Sequence, residues 1–157
     1  MTPGPLIIDT NLLLLYVVGT ASPDYIEGHK RLSAFTMEDY NVLIEMISQA
    51  PAVLVTPNTL TETSNLAPPS GKGDEAKRQV LKVVRQLAES ATETYVPSDE
   101  AASHPGFVRF GLTDAVLLNG VFGDAVLLTT DLELYNAAIA QGSPAINFSH
   151  LPHRPTF

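Results

Sequence analysis

Short apolar runs recur along the chain at residues 6–8, 52–55, 94–97, 125–128 and 145–148, and between them lie stretches with helical spacing or helix-start residues. Strands covered on both faces are written as unbroken apolar runs, and parallel neighbours need crossover helices between them. The alternation therefore predicts a mostly parallel sheet of about five strands with helices on both faces. The expected helices cover about 11–18, 24–34, 36–49, a segment opening at Pro57, 74–90, a turn at 98–103, 113–122 and 131–141. Residues 66–74 and 104–112 read as loops. At 157 residues one domain is expected, 1–157, with a core over about 6–148 and an irregular tail over 149–157.

With 45% hydrophobic and 17% charged residues the chain belongs to the folded globular class. The absence of cysteine rules out disulfides, thiolate zinc sites and iron–sulfur clusters, so any metal must be held by oxygen or imidazole. The opening MTPGPLIID has no basic segment, and the seven apolar residues at 12–18 are too few for a span. The expectation is a soluble, cytoplasmic protein with no membrane partner. A net charge of −8 disfavours nonspecific attraction to a polyanion, which would need a local basic face or bound cations.

In open α/β sheets ligands collect at the carboxyl ends of the strands, so acids that follow apolar runs are the ones to inspect. Asp9 closes LIID, Asp131 closes AVLLTTD, Asp114 stands at the helix start of GLTDAVLL, and Glu62 lies a turn into the helix after VLVTP. Each has a plainer explanation beside the chemical one. Asp9 can cap the helix near Asn11, Thr59 to Glu62 and Thr130 to Glu133 both fit the S/T-x-x-E capping box, and Thr113-Asp114 is an ordinary helix start. Together, however, all four acids should project toward one rim of one sheet. Charges about 4 Å apart repel by roughly 4 kcal/mol at an effective dielectric near 20, so such a group calls for cations. Oxygen ligands without thiolate suit Mg²⁺ or Mn²⁺.

The set IIDTN, TPNTLTETSNL, GLTDAVLL and LLTTDLELYNAA resembles the motifs of the PIN-domain ribonucleases, which include toxins of bacterial toxin–antitoxin pairs. The likeness runs from about residue 6 to 148. It implies a three-layer α/β/α sandwich and an acidic site with one or two Mg²⁺ or Mn²⁺ ions that hydrolyses RNA to 3′-hydroxyl and 5′-phosphate ends. By the same motifs Asp9, Glu62, Asp114 and Asp131 would be catalytic metal ligands or hold a ligating water, and Asn11 and Thr130 would orient carboxylates or water. RNA is the implied substrate. An antitoxin protein and a homodimer partner are also compatible with it. Two other readings stay open: a non-catalytic scaffold that binds RNA or protein on the same fold, and a phosphohydrolase of the haloacid dehalogenase kind. The latter wants a second Asp two residues after the first, where this chain has Asn11.

For RNA, Arg78, Lys82 and Arg85 share one helix face at i, i+4 and i+7, a face that equally well is solvated, with Asp74 pairing Arg78 and Arg85 pairing Glu89. Arg109, in HPGFVRFG just before the third acidic motif, is the other candidate for a phosphate contact or for plain surface. His150 and His153 form an H-x-x-H, but Pro152 between them speaks against a two-ligand helical face.

Overall fold

The computed structural model describes residues 4–119 and 122–154. Residues 1–3, the 120–121 portion of the helix expected over 113–122, and residues 155–157 of the tail lie outside the described residues. The elements in chain order are β1 Leu6–Ile8, α1 Thr10–Ala21, α2 Met37–Gln49, β2 Val53–Val55, α3 Pro57–Leu66, α4 Gly73–Ser90, β3 Thr92–Glu93, α5 Ser98–Ala102, α6 Phe107–Leu118, β4 Val126–Thr129, α7 Leu132–Ala140 and β5 Ala145–Asn147. The sheet runs β3-β2-β1-β4-β5, and every neighbouring pair is parallel.

Strand alternation divides the core into two layers. Leu6 and Ile8 of β1 pack with Leu12 to Leu15 of α1, Leu43 of α2 and Val80, Val83 and Leu87 of α4. Ile7 and Leu127 point the other way, onto Leu117 and Leu118 of α6 and Leu134 and Ala138 of α7. The architecture is therefore a three-layer α/β/α sandwich. Leu12 to Leu15 are fully buried on successive positions, because α1 lies between the sheet and three further helices. Each such side chain contributes about 1.5–3 kcal/mol as an upper estimate. Among the described residues no helix is long and apolar enough to cross a membrane.

Three segments differ from their sequence expectations. No α-helix covers 24–34; a 3-10 turn at Pro23–Tyr25 gives way to turns, with Gly28 at φ +83°. The buried His29 holds this loop down: its Nε2 lies 3.0 Å from the Ala67 carbonyl oxygen, and its Nδ1 accepts from the Arg31 amide at 3.1 Å. The Arg31 bond to the His29 ring is a local one that competes with the helical pattern, and the Ala67 bond anchors it from far along the chain. The third strand pairs at Thr92–Glu93 instead of 94–97, in register with Leu54 and Val55, and Tyr95 beyond it is 69% exposed.

α6 opens at Phe107, inside the expected loop, and bends at Gly111 (φ 83°, ψ 178°) before its second half. The described part of the tail, a 3-10 turn at Phe148–His150 followed by turns, is anchored by side chains: Arg154 donates from Nε and Nη2 to the two oxygens of the buried Asp39, at 2.8 and 2.9 Å, and His153 Nε2 approaches Oδ1 at 2.8 Å.

Candidate acidic site at the carboxyl edge of the sheet

The strand order reverses direction between β1 and β4, so the carboxyl ends of these two strands flank the crevice where α/β sheets bind ligands. Asp9 stands one residue beyond β1, and its amide donates to the Leu128 carbonyl at 3.1 Å, so its backbone is fixed by β4. Its side chain is 5% exposed. Oδ1 accepts from the Leu12 amide at 3.1 Å, which makes Asp9 the N-cap of α1, while Oδ2 accepts a short hydrogen bond from the Thr129 hydroxyl. Capping and placement at the rim are thus the same act. Burial pushes the Asp9 carboxyl up to about 6; the Thr129 hydroxyl and the Leu12 and Thr130 amides pull it down, and the charge of Asp131 adds to the rise.

Asp131 is the N-cap of α7, accepting from the Leu134 amide at 3.1 Å, and its own amide donates to Thr129 Oγ1 at 3.0 Å. The box expected between Thr130 and Glu133 is absent because the cap lies one residue later, at Asp131 itself. Thr129 therefore joins Asp9 to Asp131. Its place follows from the sheet: Ile8 pairs with Leu128, and the next rung sets Thr129 beside Asp9. The hydroxyl on Asp9 belongs to Thr129; Thr130 contributes its backbone amide.

Glu62 stands clear of any cap. The box that starts α3 is Thr56 with Thr59, aided by Pro57, which leaves Glu62 exposed on the next turn. There it accepts from Thr10 Oγ1 at 3.1 Å and from Thr113 Oγ1 at 2.8 Å, joining α3 to the first turn of α1 and to α6. Asp114 follows Thr113, three residues beyond the Gly111 bend. Burial, and then the charges of Asp9, Asp131 and Glu62 in that order, push its carboxyl up to about 7. All four acids named from the sequence thus share one electrostatic field at one sheet edge. Among the described residues, no three acid or imidazole side chains stand as a ready ion cage.

The remaining candidates are spread out. Asn11 is exposed on the first turn of α1 and makes no side-chain hydrogen bond to the acids among the described residues. On α4, Arg78 pairs with Glu75 at 2.6 Å, not with Asp74, while Lys82 and Arg85 stay exposed and line a shallow groove with Leu81. Arg109 reaches Glu133 of α7 at 2.7 Å. Of the H-x-x-H pair, His153 is bound to Asp39, whereas His150 lies edge-on to Tyr135.

Sequence inspection missed Thr10, Thr113 and Thr129. The first two adjoin Asp9 and Asp114, and this adjacency was the available signal; Thr129 needed the strand register. Compared with protein-family models, with curated protein sequences and with solved structures, the chain gives no match in any of the three.

Proposed function

We propose that the protein is a Mg²⁺- or Mn²⁺-dependent endoribonuclease of the PIN-domain type. The observation that carries this is the gathering of acids at one sheet edge: Thr129 joins Asp9 to Asp131, Thr113 beside Asp114 bonds Glu62, and burial together with these three charges pushes the Asp114 carboxyl up to about 7. Clustered like charges with no protein cation among the causes of the shift are what a hard divalent ion would relieve. The donors are carboxylate and hydroxyl oxygens with no thiol, which suits that class of ion. Asp9, Glu62, Asp114 and Asp131 would hold it.

When bound, such an ion stabilises charge on a phosphoryl oxygen and eases deprotonation of the attacking water. The chain's own part is positional. Thr129 fixes the Asp9 side chain and the Asp131 backbone, the Leu134 amide fixes the Asp131 side chain, and Thr10 and Thr113 fix Glu62, so three of the acids enter the site with their rotamers already chosen. The acid edge repels phosphate in the absence of cations, which couples substrate binding to metal. An RNA backbone is the substrate class that the motif resemblance favours.

The test is cleavage of a panel of single-stranded and structured RNAs with Mn²⁺ or Mg²⁺, beside Asp9→Asn and Asp114→Asn. Metal-dependent cutting that is lost in both variants is expected, and intact RNA with wild-type protein at millimolar metal would overturn the proposal. The lack of a ready three-ligand cage favours one alternative, a scaffold on the same fold. It would bind RNA equally well with or without metal and release it uncut.

A further inference from the structure

We propose that Arg109 is the phosphate-holding residue at the lip of the acidic site, and that Glu133 occupies it until an RNA backbone takes that place. This rests on the endoribonuclease proposal above and adds to it the residue that receives the substrate.

The second half of α6 runs toward the start of β4, and its first half, before the Gly111 bend, is tied by Arg109 to Glu133 at the start of α7, which follows β4 at the sheet's carboxyl edge. The Arg109–Glu133 pair joins these two helix starts, within two residues of Asp131 on one side and of the Gly111 bend leading to Asp114 on the other. In a chain of net charge −8, a guanidinium held between the helix starts that lead to Asp114 and Asp131 is the group a polyphosphate backbone needs at that edge.

Arg109 is also held ready. Its guanidinium lies 5.4 Å from the centroid of the Phe110 ring, which packs into the core layer under α6, and a single nitrogen, Nη2, bonds Glu133. Among the described residues the other guanidinium N–H groups have no hydrogen-bond partner, and a planar fork with free donors matches a phosphate's two oxygens. Both members of the pair are about two-thirds exposed, so the contact is weak enough to be exchanged for a phosphate. Val108, 94% exposed, and Leu132, 52% exposed, precede the two partners and offer apolar contact to a base.

The competing role is a staple that merely joins α6 to α7, and opposite substitutions separate the two. A staple is broken by losing either partner, so Arg109→Gln and Glu133→Gln would then change RNA binding in the same direction. As a phosphate holder guarded by Glu133, Arg109 responds differently. Arg109→Gln weakens binding of a fluorescein-labelled 12-nucleotide oligouridylate by about tenfold, Glu133→Gln tightens it, and Arg109→Lys restores most of the loss. Titration with Ca²⁺ in place of Mg²⁺, over a range of KCl, should also lower the slope of log K against log salt by about 0.7 in Arg109→Gln.

Parallel effects in the two variants, or an unchanged salt slope, overturn the assignment of Arg109 while wild-type cleavage stands. Wild-type protein that neither binds nor cuts RNA overturns both proposals together. Circular dichroism melting of each variant excludes loss of the fold as the cause.

Discussion

At Asp114, burial and three neighbouring acids act in the same direction against ionisation, and the consequence is a sign that can be measured. A carboxyl raised from 3.8 to about 7 costs the fold nothing below the first value, and its full penalty appears above the second. Asp114→Asn should therefore stabilise the metal-free protein at pH 8, by about 1–2 kcal/mol once solvent screening is allowed for, and hardly at all at pH 4. Urea unfolding at the two pH values measures it. On the proposed function millimolar Mn²⁺ should raise the melting temperature of the wild type, and the same variant should lose most of that rise. Thr129→Val acts in the opposite sense, because it removes the donor on buried Asp9 Oδ2 and the acceptor of the Asp131 amide while keeping the side chain's shape. A loss of about 1–3 kcal/mol at pH 8, smaller at pH 5, is expected, with the Asp9 carboxyl displaced further above 6 in a carbon-detected NMR titration.

Among the helices, α6 sets the position of Asp114, and it does so through Gly111. At φ 83° and ψ 178° this residue occupies a region open essentially to glycine, and a Cβ there would meet no neighbour, so its cost is purely one of backbone strain. Gly111→Ala should destabilise by about 1–3 kcal/mol in denaturant unfolding and, if the proposed nuclease activity holds, should reduce RNA cleavage further than the stability loss explains, by misaiming the second half of the helix. The bend also shows what was legible in the chain and what was not. Buried parallel strands leave local marks, so β1, β2, β4 and β5 were readable from their own neighbourhoods, and with them Asp9 and Asp131, which follow two of those strands; Glu62 and Asp114 stand on helices and were named from their motifs. The start of α6 was hidden because a glycine inside a helix looks like a loop, and the stretch 24–34 because His29 is bound to Ala67, far along the chain. Thr129 was hidden for a similar reason: its partner is 120 residues away and is brought to it only by the Ile8 and Leu128 register.

Across the molecule, two groups of carboxylates act against each other as pH changes. Asp9 and Asp114, raised to about 6 and about 7, destabilise the metal-free fold when ionised, so stability should climb as pH falls from 8 toward 4. Asp39 works the other way. Burial alone would raise it, but the hydrogen bonds of Arg154, the Thr36 amide and His153 hold it down at about 2, so its contribution is complete above 3.8 and is lost as pH falls toward 2. The excess negative charge also shrinks toward the isoelectric point near 4.8, relieving repulsion in the same mild-acid range. Unfolding free energy of the metal-free protein should therefore peak between about pH 4 and 5, below the usual range near neutrality. Mn²⁺ should lift the alkaline limb, since the ion favours the ionised acids, and should leave the acid limb in place. Arg154→Met should do the converse: it leaves buried Asp39 short of its strongest donor, lowers stability by about 3–5 kcal/mol at pH 6, and flattens the acid limb while the alkaline limb keeps its slope. A metal-free profile that stays level from pH 5 to 8 would mean that the acids at the sheet edge do not repel one another, and the case for a cation among them would lose its footing.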